Sequence, residues 1–188
     1  KCSKIVTNRI IISVMNKDIE LAPWMDDSEI EFLSSFLTAD DVMLEWGSGG
    51  STLCFSKMVK EYYSIEHDEE WYKKISDHLK EDENIFMYHI PSEMPRKLKF
   101  GPSNYHEFVT YINHVDFIDK KFDKVLIDGR ARQWCAEKVK NYLNDDAIVF
   151  LHDFGKPDRE RYNSVLDHYI VINKVGTLVA LKKKTNNK

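Results

Sequence analysis

Four acidic residues and two histidines sit directly after short apolar runs in this chain: Glu45, Glu66-His67, Asp128 and His152-Asp153. Glu45 opens the stretch Glu45-Trp46-Gly47-Ser48-Gly49-Gly50-Ser51-Thr52, a glycine-rich turn that leads into an amphipathic segment. Glycine lets backbone approach a ligand closely, and a helix start offers unpaired N–H donors, so this turn reads as a nucleotide-type binding loop. Glu66 stands 17 residues after Gly49, where a carboxylate can accept hydrogen bonds from both hydroxyls of a ribose. Asp128, His152 and Asp153 offer two carboxylates and an imidazole. That set suits a divalent cation with oxygen-rich ligands (Mg2+, Mn2+ or Ca2+), or proton transfer by His152 if it is not a ligand.

The glycine turn does not match a dinucleotide fingerprint. That pattern wants Gly-x-Gly-x-x-Gly, and Thr52 stands at the third position. An acid immediately before the turn, Glu45, would repel a pyrophosphate and suits a ligand with a cationic amino group.

These residues require a parallel sheet to bring them together. Apolar runs at Val42–Leu44, Tyr62–Ile65, Ile85–Ile90, Lys124–Ile127 and Ala147–Leu151 read as strands. Between or beside them, helical periodicity marks a segment from Asp26-Asp27-Ser28 to Leu37, Thr52–Val59, Glu70–Leu79, 105–118, Ala131–Leu143 and Arg159–Leu166. Tyr169–Val175 and Thr177–Lys183, around Gly176, form an antiparallel hairpin. Alternation of this kind predicts an α/β fold with helices on both faces of a mostly parallel sheet. Ligands in such sheets bind beyond the carboxyl ends of the strands, where the acids lie.

Residues 91–104, with Pro91, Pro95, Gly101 and Pro102, read as a loop placed to act as a lid or acceptor platform. The division expected is an N-terminal extension over 1–27, one domain over 28–184 and a polar tail over 185–188. A start at Lys1 rather than Met fits a trimmed chain or a domain of a larger protein.

Composition narrows the function class. With 27 basic and 31 acidic residues the net charge is −4, which provides no general drive toward nucleic acid. The apolar runs are far short of a membrane span. Cys2, Cys54 and Cys135 show no paired spacing, so a reducing, cytoplasmic setting is expected. Oligomeric state is not encoded in any visible pattern. His89, His106 and His114 lack metal-ligand spacing.

Glu45-x-Gly47-x-Gly49-x-Ser51, Glu66 and the closing hairpin together resemble the class I S-adenosylmethionine-dependent methyltransferases, over roughly residues 28–184. The resemblance implies a Rossmann-like, seven-stranded sheet whose last strand is reversed. It implies S-adenosyl-L-methionine as cofactor. Glu45, Gly47, Ser48 and Gly49 would lie around its methionine part, Ser51 and Thr52 near its carboxylate, Glu66 on the ribose and His67 beside the adenine. Asp128 and Asp153 match the acids that follow strands four and five in metal-dependent O-methyltransferases. Phe154 stands where the catechol type has an amide, which leaves the third ligand open, with His152 one candidate. Asp128-Gly129-Arg130 with His152-Asp153 is similar to small sugar or glycan O-methyltransferases, including those of algae and their large viruses. Arg130, Arg132 and Tyr162 would then contact a hydroxylated acceptor, and Trp24 and Trp46 would cover the cofactor or pack in the core. No Asn/Asp-Pro-Pro-aromatic motif follows strand four, which argues against a nucleobase amine as target. Two other classes fit a glycine loop: a nicotinamide-dependent oxidoreductase, and a non-catalytic module that keeps the cofactor fold.

Overall fold

Strands that are buried on both faces must be covered by helices. The computed structural model, which describes residues 21–94 and 104–185, shows that arrangement. Strands β1 (Val42–Trp46), β2 (Glu61–Glu66), β3 (Ile85–His89), β4 (Phe122–Ile127), β5 (Leu143–Leu151), β6 (Tyr169–Val175) and β7 (Leu178–Lys183) form one sheet in the order β3-β2-β1-β4-β5-β7-β6. The first five run parallel, and β7 enters antiparallel between β5 and β6. This is the Rossmann-like, seven-stranded, mostly parallel sheet with a closing hairpin. The order reverses at β1 and β4, so a crevice opens at their carboxyl ends.

Helices α1 (Asp27–Ser34), α2 (Gly50–Phe55), α3 (Glu69–His78), α4 (Val109–Asn113) and α5 (Arg132–Val139) flank the sheet, with a 3-10 segment over Pro157–Asp167. The period-two alternation divides the core. Leu44, Trp46, Val125, Ile127, Val149 and Leu151 face one side, with Tyr111, Cys135 and Val139. Met43, Leu126 and Phe150 face the other, with Ile30, Phe32, Leu33 and Phe55. The rings of Phe32 and Phe36 meet Phe150 edge-on at 6.2 and 5.5 Å and so fasten α1 to the sheet. Truncating a buried ring of this kind costs about 3–5 kcal/mol.

Several elements differ from expectation at their ends. β1 continues through Glu45 and Trp46, because both extend the ladders to β2 and β4. The expected helix 105–118 breaks into a 3-10 turn at Tyr105–Glu107, the single α-helical piece α4 and a 3-10 turn at His114–Phe117. The helix expected to reach Leu143 stops at Val139, since Leu143 pairs with Phe122 and begins β5 early. Arg159–Leu166 lies in a 3-10 segment kinked at Arg159 rather than an α-helix. Most of the 1–27 extension, Cys2 and most of the 91–104 loop lie outside the described residues. Leu21 packs against Ile75 and Leu79, so the end of that extension rests on α3. No helix among the described residues is long and apolar enough to cross a membrane.

Candidate functional site at the carboxyl ends of the strands

The glycine turn is shaped first by its neighbours. Gly47 has φ +101, and a Cβ there would lie 2.5 Å from the Cα and nitrogen of Gly129. The turns after β1 and β4 therefore touch, and only glycine at 47 permits it. Trp46 carbonyl oxygen accepts from the backbone N–H groups of Asp128 (3.0 Å) and Gly129 (2.7 Å), which locks the two strand ends together.

Glu45 does not face the crevice. It is 0% exposed and lies on the sheet face shared with Met43. Its carboxylate accepts hydrogen bonds from Ser51, from Thr52 (2.5 Å) and from Ser64 (3.1 Å). Thr52 Oγ1 in turn accepts from the Gly49 N–H at 2.9 Å. Burial pushes the Glu45 pKa up to about 7, against the downward pull of those hydroxyls. The side chains of Glu45, Ser51 and Thr52 bond one another and so form a brace beneath the turn. With its charge buried, Glu45 no longer argues against a pyrophosphate. That argument passes to Leu21 and Ala22, whose carbonyl oxygens come within 2.4 and 2.3 Å of a Cβ built on Gly50 and so crowd the start of α2 with acceptors.

Ser48 is also part of the brace, with its Oγ 2.7 Å from Ser64 Oγ and its carbonyl accepting from Trp71 Nε1. Its N–H donates to Glu66 Oε2 at 2.8 Å, while Glu66 Oε1 accepts from the N–H groups of His67 and Asp68, both at 2.8 Å. A carboxylate has about four acceptor positions, so these three donors leave one, on Oε2. Nearby, the Tyr111 hydroxyl is buried, lies by the Arg130 backbone, donates to no acceptor among the described residues, and stands close to where a Cβ on Gly129 would be. The His67 ring stands 5.9 Å from Tyr111 and 5.5 Å from Phe108. An acceptor on Glu66, an undonated hydroxyl proton on Tyr111 and aromatic edges around His67 fit an adenosine group lying across the ends of β1, β2 and β4.

The second cluster is built by longer connections. Ligand atoms of Asp128, His152 and Asp153 lie within 4.8 Å of one another, as their strand-end positions predict. Arg132, at the start of α5, stands among them. Its Nη1 is 3.0 Å from Asp128 Oδ1 and 3.2 Å from Asp153 Oδ2, and also donates to His152 O at 2.8 Å. Nε donates to Gly129 O at 3.0 Å, so the guanidinium is fixed at both ends. Ala131 (φ 53) and Asp153 (φ 62) adopt left-handed backbone on either side, which is costly for Ala131 and turns both segments inward. Lys156 pairs with the other oxygen of Asp153.

His152 Nδ1 lies 2.9 Å from Asp128 Oδ1 and Nε2 3.2 Å from Glu29 Oε2. A carboxylate at each nitrogen favours the doubly protonated imidazolium, in which both nitrogens donate. Burial opposes that charge, but the hydrogen bond and field of Asp128, with Asp153, outweigh it and raise the pKa. A ring with no free lone pair neither coordinates a metal nor takes a proton. Asp128, Asp153 and Glu29 are already balanced by Arg132, His152 and Lys156. The donor set thus does not fit a divalent ion: one would have to displace a buried, doubly anchored guanidinium. As the structure stands, the three residues expected as ligands come together, with Arg132 held between Asp128 and Asp153.

Among the expected acceptor contacts, Arg132 is internal and Tyr162 is buried, with Arg161 and Arg132 stacked 4.8 and 5.9 Å from its ring. Arg130 lies in the turn between β4 and α5, at the crevice. Trp46 is core, and its Nε1 donates to Tyr111 O at 3.1 Å. Trp24 is 71% exposed and stands 5.8 Å from Trp71.

Sequence reasoning missed Glu29. Its Oε1 accepts from Thr177 N (2.7 Å), Thr177 Oγ1 (3.0 Å) and Leu178 N (3.1 Å), and its Oε2 from Asp26 N (3.1 Å). Gly176 (φ +54) makes room, because a Cβ there would lie 2.6 Å from Glu29 Oε1. Asp26-x-x-Glu29 has the spacing of a capping box, the one local signal available.

No protein-family model and no curated protein matches the chain. Solved structures do. A methyltransferase-like protein from Silicibacter pomeroyi has a TM-score of 0.73 at 22% identity, covering 86% of this chain and 87% of that one. The fold is the one such methyltransferases share. A proposed caffeoyl-CoA O-methyltransferase from Staphylococcus aureus has a TM-score of 0.61 at 14% identity, covering 98% and 93%. A proposed methyltransferase from Streptococcus mutans, solved with S-adenosylhomocysteine, has a TM-score of 0.55 at 13% identity, covering 84% and 95%.

Proposed function

We propose that this chain is an S-adenosylmethionine-dependent O-methyltransferase that methylates a hydroxyl of a sugar, a glycan or another small hydroxylated acceptor. Residues 28–184 would form the catalytic domain, with 1–27 packed on it and 185–188 as a tail. The observation that carries this reading is the contact between the turns after β1 and β4. It sets Asp128 beside the crevice where Glu66 and Tyr111 offer their remaining polar atoms. The solved structures named methyltransferases, one holding the demethylated cofactor, support it.

The cofactor supplies a methyl group on a sulfonium, already activated for in-line displacement. The chain must therefore align an oxygen and remove its proton. An alcohol is roughly as weak an acid as water, about 15.7, so deprotonation before attack is costly. As the C–O bond forms and the C–S bond breaks, the hydroxyl becomes a strong acid, the sulfur takes the bonding pair, and a carboxylate suffices to take the proton. Asp128 fits this role: among the described residues its partners His152 and Arg132 both bond Oδ1, so Oδ2 can meet the acceptor. His152 and Arg132 position it. The scheme needs no metal, because Arg132, His152 and Lys156 already balance the acids of the cluster.

Calorimetric titration with S-adenosylmethionine and with NAD tests the cofactor; binding of NAD alone overturns the reading. Methyl transfer to hydroxylated acceptors should persist in excess chelator. Loss of turnover on chelation, restored by Mg2+ or Mn2+, would return Asp128 and Asp153 to the role of ligands.

A further inference from the structure

We infer that Glu45 is a positioning residue for the cofactor: its ionised carboxylate holds the glycine turn in binding shape through two hydroxyl relays, so the turn grips the cofactor more tightly once Glu45 has lost its proton. This role rests on the S-adenosylmethionine reading and adds what holds that site in shape. The brace is directional. Ser51, Thr52 and Ser64 each have a single hydroxyl proton, and each gives it to Glu45. Thr52 Oγ1 is then left with lone pairs alone and accepts from the Gly49 N–H at 2.9 Å. Ser64 Oγ is left the same way, so across their 2.7 Å contact Ser48 Oγ must be the donor. Two consecutive residues of the turn are thus tied to one buried carboxylate, Ser48 through Ser64 and Gly49 through Thr52.

These ties reach the groups that would meet the cofactor. The Ser48 N–H donates to Glu66 Oε2 at 2.8 Å, the oxygen that keeps an acceptor position for a ribose. The Ser48 carbonyl accepts from Trp71 Nε1, which fixes the turn from its other side. An ionised Glu45 makes its hydroxyl bonds charge-assisted, roughly twice as strong as neutral ones. A protonated Glu45 loses that gain and must place its own proton on a surrounding oxygen. The choices are the hydroxyls that donate to it and the buried Tyr62 hydroxyl on β2. Whichever oxygen takes the proton, the relays weaken. The other titratable groups around the brace do not compete. Burial and the Glu45 charge push Tyr62 well up, and burial pushes Cys54 on α2 up to about 11, so both keep their protons. On the β4 side Glu45 stands beside Leu126, which does not titrate. Burial sets the Glu45 change at about 7. Affinity is therefore present above about that pH and lost as pH falls through it, because the form that binds is the deprotonated one.

The test is calorimetric binding of S-adenosylhomocysteine, whose amino and carboxyl groups keep their charges near neutrality, to the whole chain as wild type, Glu45→Gln and Ser64→Ala. Thermal melts check that each variant folds. In the wild type Kd should fall roughly fivefold between about pH 6 and about pH 8, as binding expels the Glu45 proton, and the heat should vary with the ionisation enthalpy of the buffer. Glu45→Gln cannot ionise, so it should bind like the wild type at the acid end and show little slope. Ser64→Ala cuts only the tie to Ser48. It should bind more weakly than the wild type at the alkaline end and keep part of the slope through Thr52. A wild-type Kd independent of pH overturns the role while leaving the cofactor reading standing. A slope that survives in Glu45→Gln belongs to another group, such as His67 beside Glu66, and also overturns it. Should Glu45→Gln fail to fold, Ser64→Ala decides: a Kd and slope equal to those of the wild type overturn the role. No binding of S-adenosylhomocysteine at any pH brings down the cofactor reading itself, and this role with it.

Discussion

Two buried carboxylate sites lie on neighbouring strands and are solved in opposite ways. Beneath the β1 turn, Glu45 is surrounded by hydroxyls, from Ser51, Thr52 and Ser64, and no cation among the described residues pairs with it. Hydroxyls cannot fully replace water, so burial wins and the group is pushed toward its neutral form. At the ends of β4 and β5, Asp128, Asp153 and Glu29 are surrounded by Arg132, His152 and Lys156. There, burial opposes the charge of Asp153 but the Arg132 field outweighs it, and backbone donors do the same for Glu29, so both are held below the usual carboxylate range. One site is a brace whose acid is pushed up to titrate at about 7, and the other a charge-balanced cluster suited to holding a carboxylate ready for a proton.

The largest effect should come from the cluster. Asp128→Asn removes the proposed base and keeps its size, so kcat should fall by about 10²–10⁴-fold. Cofactor Kd by calorimetry should stay the same. Unimpaired turnover would assign Asp128 to the framework, like Glu45.

Removing the internal cation should be the next largest. Arg132→Ala leaves Asp128 with His152 alone and Asp153 with Lys156 alone, and empties a buried site between two acids, which should cost up to roughly 3–5 kcal/mol in denaturant unfolding. The vacated space lies among ligand atoms within 4.8 Å of one another, so Mn2+ or Ca2+ should raise the melting temperature of this variant but not of the wild type. A wild type stabilised by either ion would show that the cluster takes metal despite Arg132.

The brace should reveal itself through pH. Glu45 has a folded-state pKa of about 7 against an ordinary value of 4.5. The folded chain then holds a proton that the unfolded chain releases. The associated stability is fully present below the unfolded value and lost as pH rises through about 7, roughly 3 kcal/mol in all. Glu45→Gln, neutral throughout, should flatten that slope in chemical denaturation between about pH 5 and pH 8. The cluster acids run the other way: Glu29 and Asp153 lose their contribution as pH falls through their lowered values. His152, with a raised pKa, loses its contribution only as pH rises through that higher value. An unchanged slope in Glu45→Gln would show that the hydroxyls keep Glu45 ionised.

The two sites also differ in how far the sequence betrays them. Apart from Ser64 on β2, the brace draws on Gly49, Ser51 and Thr52, all within seven residues of Glu45, so most of its parts stand together in the chain although their orientation does not show there. Strand parity decides that orientation: Leu44 and Trp46 share one face, which sends Glu45 to the other, and the parity became readable only once β1 was seen to run through Trp46. In the cluster, His152 meets Glu29 across 123 residues and Asp128 across 24. No periodicity or spacing reports such a pairing.

The sequence alone determined the alternation of strands and helices, the closing hairpin and the placing of Asp128, His152 and Asp153 at strand ends. These follow from local periodicity, turn residues and the chemistry of residue types. The tertiary structure decided which charges those groups meet. Arg132, expected to contact an acceptor, becomes the internal cation of the cluster, and Glu29, which no site motif singles out, becomes the partner of His152. The physical reason is that the role of a buried charge depends on what replaces its water, and that is set by contacts between elements distant in the chain.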